Sequence, residues 1–540
     1  MAVRRAYRSA ERGLIRSLSV GPLAAVLAAV VLATSALAGC SLGPSSTLNV
    51  LAGSELKDLE PMLGDIQNAT GVQLVLNYIG TLDGAQEIQN GTANADAAWF
   101  SHSAYLSLLP GVGSKIVAQQ KIMLSPVIIG VKQSVAQSFG WLNNPDVTWK
   151  DIQARAADGS FHFAMTNPAA SNSGFTALIG VASALSGSSD AIDTGTIDQD
   201  ALKGFFKGQT LTAGSSGFLA DDYVRQQDSV DGIINYESVL MGLNAGGQLH
   251  EQLALIYPKE GIITADYPFM LLNKDKQDAW QKVVDYLRTP DVQKKIMANT
   301  ARRPVVPGVA LDSRFPTQTL VELPFPSKLD TINALLTVYL DQIRTPATAT
   351  FVLDLSGSMA GDRLDSLQTA LTSLTGLDTS LTGQFARFRA REDVTFITFS
   401  SDVIDNQTFT IDDTDPNSAD MTQIRAFVDG LTTYSQTAIY TALTAAYQNV
   451  SNEQATDPNR LYSIVLMTDG ENNTGYTFDQ FKEWYATLPP AVQAVHVYPI
   501  LFGEGNTDEM NALATLTGGK TFDAQSGDLT DVFKQIRGYQ

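Results

Sequence analysis

Cysteine is almost absent: Cys40 is the sole cysteine in 540 residues. A disulfide framework within the chain is excluded, as is a structural zinc site built on several thiolates. Histidine is nearly as scarce. His102, His162, His250 and His496 stand apart, and no His-Glu-x-x-His helix occurs. The P-loop pattern and the Gly-x-Ser-x-Gly elbow are also missing, so the chain is expected not to be an enzyme. Basic residues are outnumbered 36 to 56, for a formal net charge of −20. Nucleic-acid binding needs a basic face that releases counterions, and this balance argues against it. After residue 40 no stretch reaches the roughly 20 consecutive apolar residues of a membrane span. The composition, 44% hydrophobic and 17% charged, rules out disorder over the whole chain. The length suits about three to four domains at roughly 150 residues each.

The chain opens on an address. Arg4, Arg5, Arg8, Arg12 and Arg16 face one acid, Glu11, and an unbroken apolar run follows from Leu23 to Ala33. It closes on Leu37-Ala38-Gly39-Cys40. A basic start, a short apolar run and small residues before a cleavage point describe a secretory signal. The closing tetrapeptide resembles the lipobox of bacterial lipoproteins, which implies acylation of Cys40. Residues 1–39 are then a signal peptide and residues 40–46 a lipidated tether. The expected location is the extracytoplasmic face of the cell membrane, held by lipid.

Strands and helices alternate over residues 47–310. Thr47–Leu51, Val72–Tyr78, Ala95–Phe100 and Val127–Val131 read as strands. Leu56, Leu59, Met62, Leu63 and Ile66 recur at helical spacing between the first two. Residues 311–346 form a junction broken by Pro316, Pro324 and Pro326. It carries one amphipathic helix marked by Leu329, Ile332, Leu335, Leu336, Tyr339 and Leu340. A second α/β pattern fills residues 347–540, with strands at Phe351–Leu353, Val394–Phe399, Ile464–Met467 and Val495–Phe502. Such alternation predicts doubly wound, Rossmann-like α/β architecture.

The sharpest motif is Asp354-x-Ser356-x-Ser358, directly after an apolar strand. In an open α/β sheet, ligands bind where loops converge at the carboxyl ends of strands. One carboxylate and two hydroxyls at alternate loop positions can face one point. Hard oxygens of this kind suit Mg²⁺ or Mn²⁺ better than zinc. Thr437 precedes a helical run and Asp469 ends a strand, so each can add an oxygen. These five positions resemble the metal-ion-dependent adhesion site (MIDAS) of von Willebrand factor type A domains, over residues 347–540. The resemblance implies hydroxyl oxygens from Ser356, Ser358 and Thr437, and carboxylates of Asp354 and Asp469 acting directly or through water. It also implies a remaining position for an acidic group on a protein partner. The family usually has glycines before the threonine, where this chain has Ser435-Gln436, and Thr433 is an alternative donor. The acids Asp402, Asp405, Asp412, Asp413, Asp415 and Asp420 lack the spacing of a calcium loop and read as a solvated loop.

Residues 47–310 resemble two-lobed bacterial extracellular solute-binding proteins. The resemblance rests on Asn49–Glu55, Ala95–Ser101, Phe163–Gly174, Ile234–Ser238 and Ile256–Leu272. Thr166-Asn167-Pro168 followed by Ser171-Asn172-Ser173-Gly174 implies a strand end that opens a helix facing a cleft. Hydroxyls and free N–H groups at such a helix start hold polar ligands or anions. Ser54, Thr81, Ser101, Ser173 and Tyr236 are the candidate ligand contacts. No Arg or Lys is evidently placed in that cleft, which leaves the charge of the solute open.

The chain is therefore expected to be a lipid-anchored binding protein. Its type A domain would hold an acidic group of a protein partner through a divalent metal, and its first domain would receive a small solute. The alternative reading is the substrate-binding component of an ABC-type transporter, with the type A domain docking or regulating. A metal-assisted hydrolase is the third.

Overall fold

The two halves of residues 47–310 interleave rather than follow one another. The structure is a computed structural model that describes residues 46–187, 190–503, 505–525 and 527–540. The signal peptide and Cys40 lie outside the described residues. In chain order the first strands are β1 (Ser46–Ala52), β2 (Val72–Tyr78), β3 (Ala97–Trp99) and β4 (Ala118–Lys121). They are followed by β5 (Met123–Lys132), β6 (Phe163–Thr166), β7 (Gln209–Ala213) and β8 (Gly232–Tyr236). Then come β9 (Leu253–Ile256), β10 (Thr264–Ala265), β11 (Pro268–Leu271) and β12 (Arg303–Pro304).

One lobe is a sheet of order β2-β1-β3-β11-β4, and the other carries β10-β5-β8-β6-β7 with β9 and β12 also paired to β5. The chain crosses between lobes after β4, and returns between β10 and β11. At the return, Tyr267 has φ 40°, in the left-handed region that a bulky residue rarely adopts. Two contacts hold it there. Its N–H donates to the Ser101 carbonyl at 3.1 Å, and its own carbonyl accepts from Trp99 Nε1 at 3.1 Å.

The remaining strands are β13 (Ala347–Asp354), β14 (Asp393–Phe399), β15 (Val403–Thr410), β16 (Leu461–Thr468), β17 (His496–Leu501) and β18 (Phe522–Asp523). They form one sheet of order β15-β14-β13-β16-β17-β18. Only the pairing of edge strand β15 is antiparallel. Every residue of β13 is buried, as expected of a central parallel strand covered on both faces. Successive residues serve opposite faces. Phe351 and Leu353 pack with Leu367, Leu371 and Phe533, whereas Val352 packs with Ile439, Leu443 and Tyr447.

Two local expectations change in detail. The helix over Leu56–Ile66 is a 3₁₀ stretch, Ser54–Met62, running into an α-helix, Leu63–Thr70. Pro61 lies in the first part and has no N–H to give to a regular α ladder. The junction helix spans Leu329–Val338 and widens into a π turn over Tyr339–Ile343. Thr47–Gln540 forms one compact unit. No helix among the described residues is long and apolar enough to cross a membrane.

Candidate functional site

The carboxyl ends of β13 and β16 bring the five type A residues together. Ser356 N–H donates to Asp354 Oδ1 at 2.8 Å, and Thr468 Oγ1 donates to Asp354 Oδ2 at 2.7 Å. These bonds fix the carboxylate, which is fully buried. Burial pushes the Asp354 carboxyl up to about 6, against the lowering effect of the Thr468 and Ser356 bonds, while the Asp469 charge adds to the rise. Ser358 Oγ lies 3.1 Å from Ser356 Oγ and donates to Asp469 Oδ1 at 2.8 Å. A Cβ placed on Gly470 would stand 3.7 Å from Ser358 Oγ and 3.9 Å from Thr437 Oγ1, so both hydroxyls face one small space. Thr437 is thus the threonine at this point. Its N–H is held by Asn473 Oδ1 at 2.9 Å, which steadies the loop that Ser435-Gln436 enter.

This donor set is two carboxylates and three hydroxyls, all hard oxygens, and it fits a Mg²⁺- or Mn²⁺-sized ion. It does not rely on carboxylate number: no group of three or more His, Cys, Asp or Glu able to hold a metal occurs among the described residues. A basic side chain also reaches this site, at a position that no spacing in the sequence marks. The Arg363 guanidinium pairs with Asp469 Oδ2 and reaches the Ser358 carbonyl at 3.4 Å. It lies on Gly503, where an added Cβ would be 2.9 Å from its Cζ.

The seam between the two lobes is the second candidate site. Arg302 is fully buried there, behind the wall of the chamber that Ser54 and Glu55 line rather than on it. Its Nη1 pairs with Asp58 Oδ2 at 2.5 Å, its Nη2 donates to the Glu55 carbonyl at 2.8 Å, and its Cζ lies 5.0 Å from the Tyr267 ring centre. Around it, Glu55 Oε1, Asn172 Oδ1, Tyr236 Oη and Tyr267 Oη are buried without a hydrogen bond of good geometry, with Asn172 beside Glu55, Ser101 beside Tyr236 and Arg302 beside Tyr267 as their polar neighbours. Each such group costs about 1–3 kcal/mol when left unmatched in the interior. Several at one seam mark a place suited to a polar solute. Burial raises the Glu55 carboxyl above the ordinary range, although its backbone bond and the Arg302 charge oppose this.

The five residues expected from sequence are dispersed over this region. Ser101 and Tyr236 face each other at the seam, and the Tyr236 ring centre is 6.0 Å from that of Tyr267. Ser173 is buried in a hydroxyl cluster, 3.0 Å from Thr166 Oγ1 and 2.8 Å from Ser216 Oγ. It is not the helix cap, since Asn172–Leu185 starts after Ser171. Thr81 is buried as the first residue of the helix Thr81–Asn90. Ser54 is half-buried and lines a chamber of about 140 Å³ with Glu55 and Asn172. Glu55, Asn172, Tyr267 and Arg302 also stand at this seam, although none is among the candidate ligand contacts read from the sequence. Glu55 stands beside Ser54 in the sequence and Asn172 beside Ser173, so strand-end position was the available signal for those two.

The type A region adjoins both lobes. On the second lobe, Arg225 Nη2 donates to the Gly518 carbonyl at 2.9 Å and His496 Nε2 lies 3.2 Å from Asp222 Oδ1. The first lobe contributes Gln86 Oε1, which accepts from Thr382 N at 2.7 Å. His496 is the first residue of β17, so these contacts gather at the amino ends of the strands, opposite the Asp354 site.

Residues 48–299 match the family described as bacterial extracellular solute-binding protein, and residues 350–535 match the von Willebrand factor type A domain. Among solved structures, the periplasmic binding protein AfuA from Actinobacillus pleuropneumoniae, with exogenous fructose-6-phosphate bound, is 14% identical with a TM-score of 0.43. The match covers 55% of this chain and 98% of that one. The ferric binding protein from Campylobacter jejuni is 16% identical with a TM-score of 0.41, over 54% of this chain and 98% of that one. A periplasmic thiamin binding protein is 13% identical with a TM-score of 0.43, over 54% and 95%. No curated protein matches the sequence.

Proposed function

From a chain that joins a bacterial extracellular solute-binding domain to a von Willebrand factor type A domain, we propose a lipid-anchored, extracytoplasmic binding protein that performs no catalysis. The type A domain binds an acidic side chain of a protein partner, and the first domain receives a small solute. The observation that carries this reading is the convergence of Ser356, Ser358, Thr437, Asp354 and Asp469 at the carboxyl ends of two neighbouring strands. A bound Mg²⁺ or Mn²⁺ would supply a Lewis-acidic point to fix the partner's carboxylate. The chain's own part is orientation. Thr468 and the Ser356 N–H hold Asp354, and Asn473 holds the Thr437 loop. Ser358 is exposed at the surface end of the set, where a partner can approach. The solute domain lies at the opposite strand ends and leaves that approach clear.

Titration of Mn²⁺ into the full-length chain carrying Cys40→Ser, followed by its paramagnetic resonance signal, tests the metal site. One ion per chain is expected, lost in Ser358→Ala and Asp354→Ala. Binding that both variants leave intact contradicts the reading.

The transporter reading draws on a separate observation, the unpartnered polar groups buried at the lobe seam. It predicts that gently purified protein retains a small molecule in native mass spectra. A spectrum showing only the protein mass would remove its support.

A further inference from the structure

The chamber beside Ser54 has three walls, and the third is not part of the solute domain. Lobe one contributes Glu55 and Asp83, and lobe two contributes Ala170, Asn172 and Ser215. The type A domain contributes Thr382, Lys534, Gln535 and Tyr539. The walls meet closely. A Cβ on Gly538 would come within 2.5 Å of Ala170 Cβ, one on Gly80 within 2.5 Å of the Ala170 carbonyl oxygen, and Tyr539 Oη lies 3.4 Å from Ser215 Oγ.

The charges divide by wall. The two lobes place two carboxylates on the chamber and no basic side chain. All the cations come from the type A wall, and two of them are already engaged. Lys534 Nζ is 2.6 Å from Asp378 Oδ2, and Arg537 Nη2 is 2.7 Å from Glu392 Oε2. Lys520, the third, is exposed and donates to Tyr539 Oη at 3.3 Å. Neither lobe acid forms an ion pair among the described residues, although the Arg302 charge acts on Glu55 and the Lys534 charge acts on Asp83. Glu55 is 95% buried with Oε1 unpartnered, and the unpartnered Asn172 Oδ1 beside it is a second acceptor. Two carboxylates and an amide oxygen call for hydrogen-bond donors that carry positive charge.

We propose that this chamber is a composite binding site for a small organic cation, an alkyl amine or diamine, anchored by Glu55 and Asp83 and walled on its third side by the type A domain. The inference rests on the solute-binding reading above and names the solute class. A cavity of about 150 Å³ accommodates benzene, so about 140 Å³ suits a solute of roughly six heavy atoms. An ammonium replaces the missing donors, and its charge offsets the carboxylates. Both carboxyls are pushed up by burial, Asp83 to about 6, with the Arg302 charge opposing the rise at Glu55 and the Lys534 charge opposing it at Asp83. The solute then touches all three walls, so its binding tightens the attachment of the type A domain to the lobes.

Three probes of one chain length test this by titration calorimetry on the full-length Cys40→Ser protein: putrescine, 1,4-butanediol and succinate. Putrescine is expected to bind, with its Kd raised at least tenfold by Glu55→Gln and by Asp83→Asn. Gln535→Arg should weaken it equally. Gln535 is exposed, so the substitution adds a competing cation from the type A wall without touching a core. The diol and succinate are expected to give no heat of binding. Preference for succinate, no binding of putrescine, or a Kd indifferent to Glu55→Gln and Asp83→Asn overturns the proposal. A silent Gln535→Arg overturns the third wall. Should Glu55→Gln fail to fold, Asp83→Asn at the partly exposed position carries the test. A retained small molecule in native spectra, together with no putrescine binding, would sink this proposal and leave the solute-binding reading standing.

Discussion

Arg363 sets a condition on the type A site that its five oxygen donors do not reveal. Its guanidinium holds Asp469 Oδ2, while Oδ1 takes the Ser358 hydroxyl. A divalent ion drawing on Asp469 has to share the carboxylate with a resident cation, and like charges at that range repel. The pair is about one-third exposed on the arginine side, so screening moderates the effect. Arg363→Ala is expected to tighten Mg²⁺ or Mn²⁺ binding about five- to tenfold, roughly 1 kcal/mol, as read by calorimetric titration. Weaker binding in the variant would mean that Arg363 positions Asp469 rather than competes for it. Asp83 gives a second residue-scale prediction. Its carboxyl titrates at about 6 in the fold against 3.8 ordinarily, first because of burial and then because of Asp531 and Glu87, with Lys534 opposing. The folded state therefore keeps a proton that the unfolded chain releases, and stability falls as pH rises from 3.8 through about 6. Asp83→Asn should raise the Tm at pH 7.5 and leave it nearly unchanged at pH 4. A difference that is flat with pH would contradict this assignment.

Among the elements, the junction helix does more than connect. Its end residue Tyr339 packs on Phe206 with ring centres 5.0 Å apart, and its hydroxyl donates to Gln209 Oε1 at 3.0 Å. Phe206 and Gln209 belong to the second lobe, so one side chain ties the junction to that lobe by packing and by a hydrogen bond. Tyr339→Ala is expected to cost about 3–5 kcal/mol, and Tyr339→Phe about 1 kcal/mol. Calorimetry should also show the Ala variant resolving into two unfolding transitions. An unshifted single transition would show that the tie contributes little. The helix itself was legible, because Ile332, Leu335, Leu336 and Tyr339 repeat at helical spacing and are buried as that spacing requires. The strands of the type A sheet were legible for a related reason, since a strand covered on both faces reads as a continuous apolar run. Asp354, Ser356 and Ser358 are contiguous, and Asp469 follows such a run, so the site could be placed from spacing. Arg302 could not. It reaches the Glu55 carbonyl across 247 residues of sequence, and no local pattern records a pairing made by a chain that crosses twice between lobes. The 3₁₀ start at Ser54–Met62 escaped for the opposite reason, because a purely local effect of Pro61 overrode a good helical repeat.

At the scale of the molecule, the type A domain presents two ends with different surroundings. The amino ends of its strands meet the solute domain through His496, Gly518 and the adjoining Tyr539, while the carboxyl ends carry the oxygen cluster. On the proposed function, a partner at one end and a solute at the other can therefore occupy the protein together. The interface with the solute domain includes a fully buried carboxylate, Asp222, whose Oδ1 lies 3.2 Å from His496 Nε2 across the boundary and 3.3 Å from Arg225 Nη2 of its own lobe.

The proposed function stands on a divalent metal at the type A oxygen cluster. Its most direct measurement is thermal unfolding of the full-length Cys40→Ser chain in EDTA and then in Mg²⁺, with Ser358→Ala in parallel. A native site filled at 100 times its Kd adds about 2.7 kcal/mol to the state that holds it. A Mg²⁺-dependent rise in Tm is expected for the parent chain and none for Ser358→Ala, each compared with the same protein in EDTA. Identical unfolding in EDTA and Mg²⁺, or an equal rise in both proteins, would contradict the metal site.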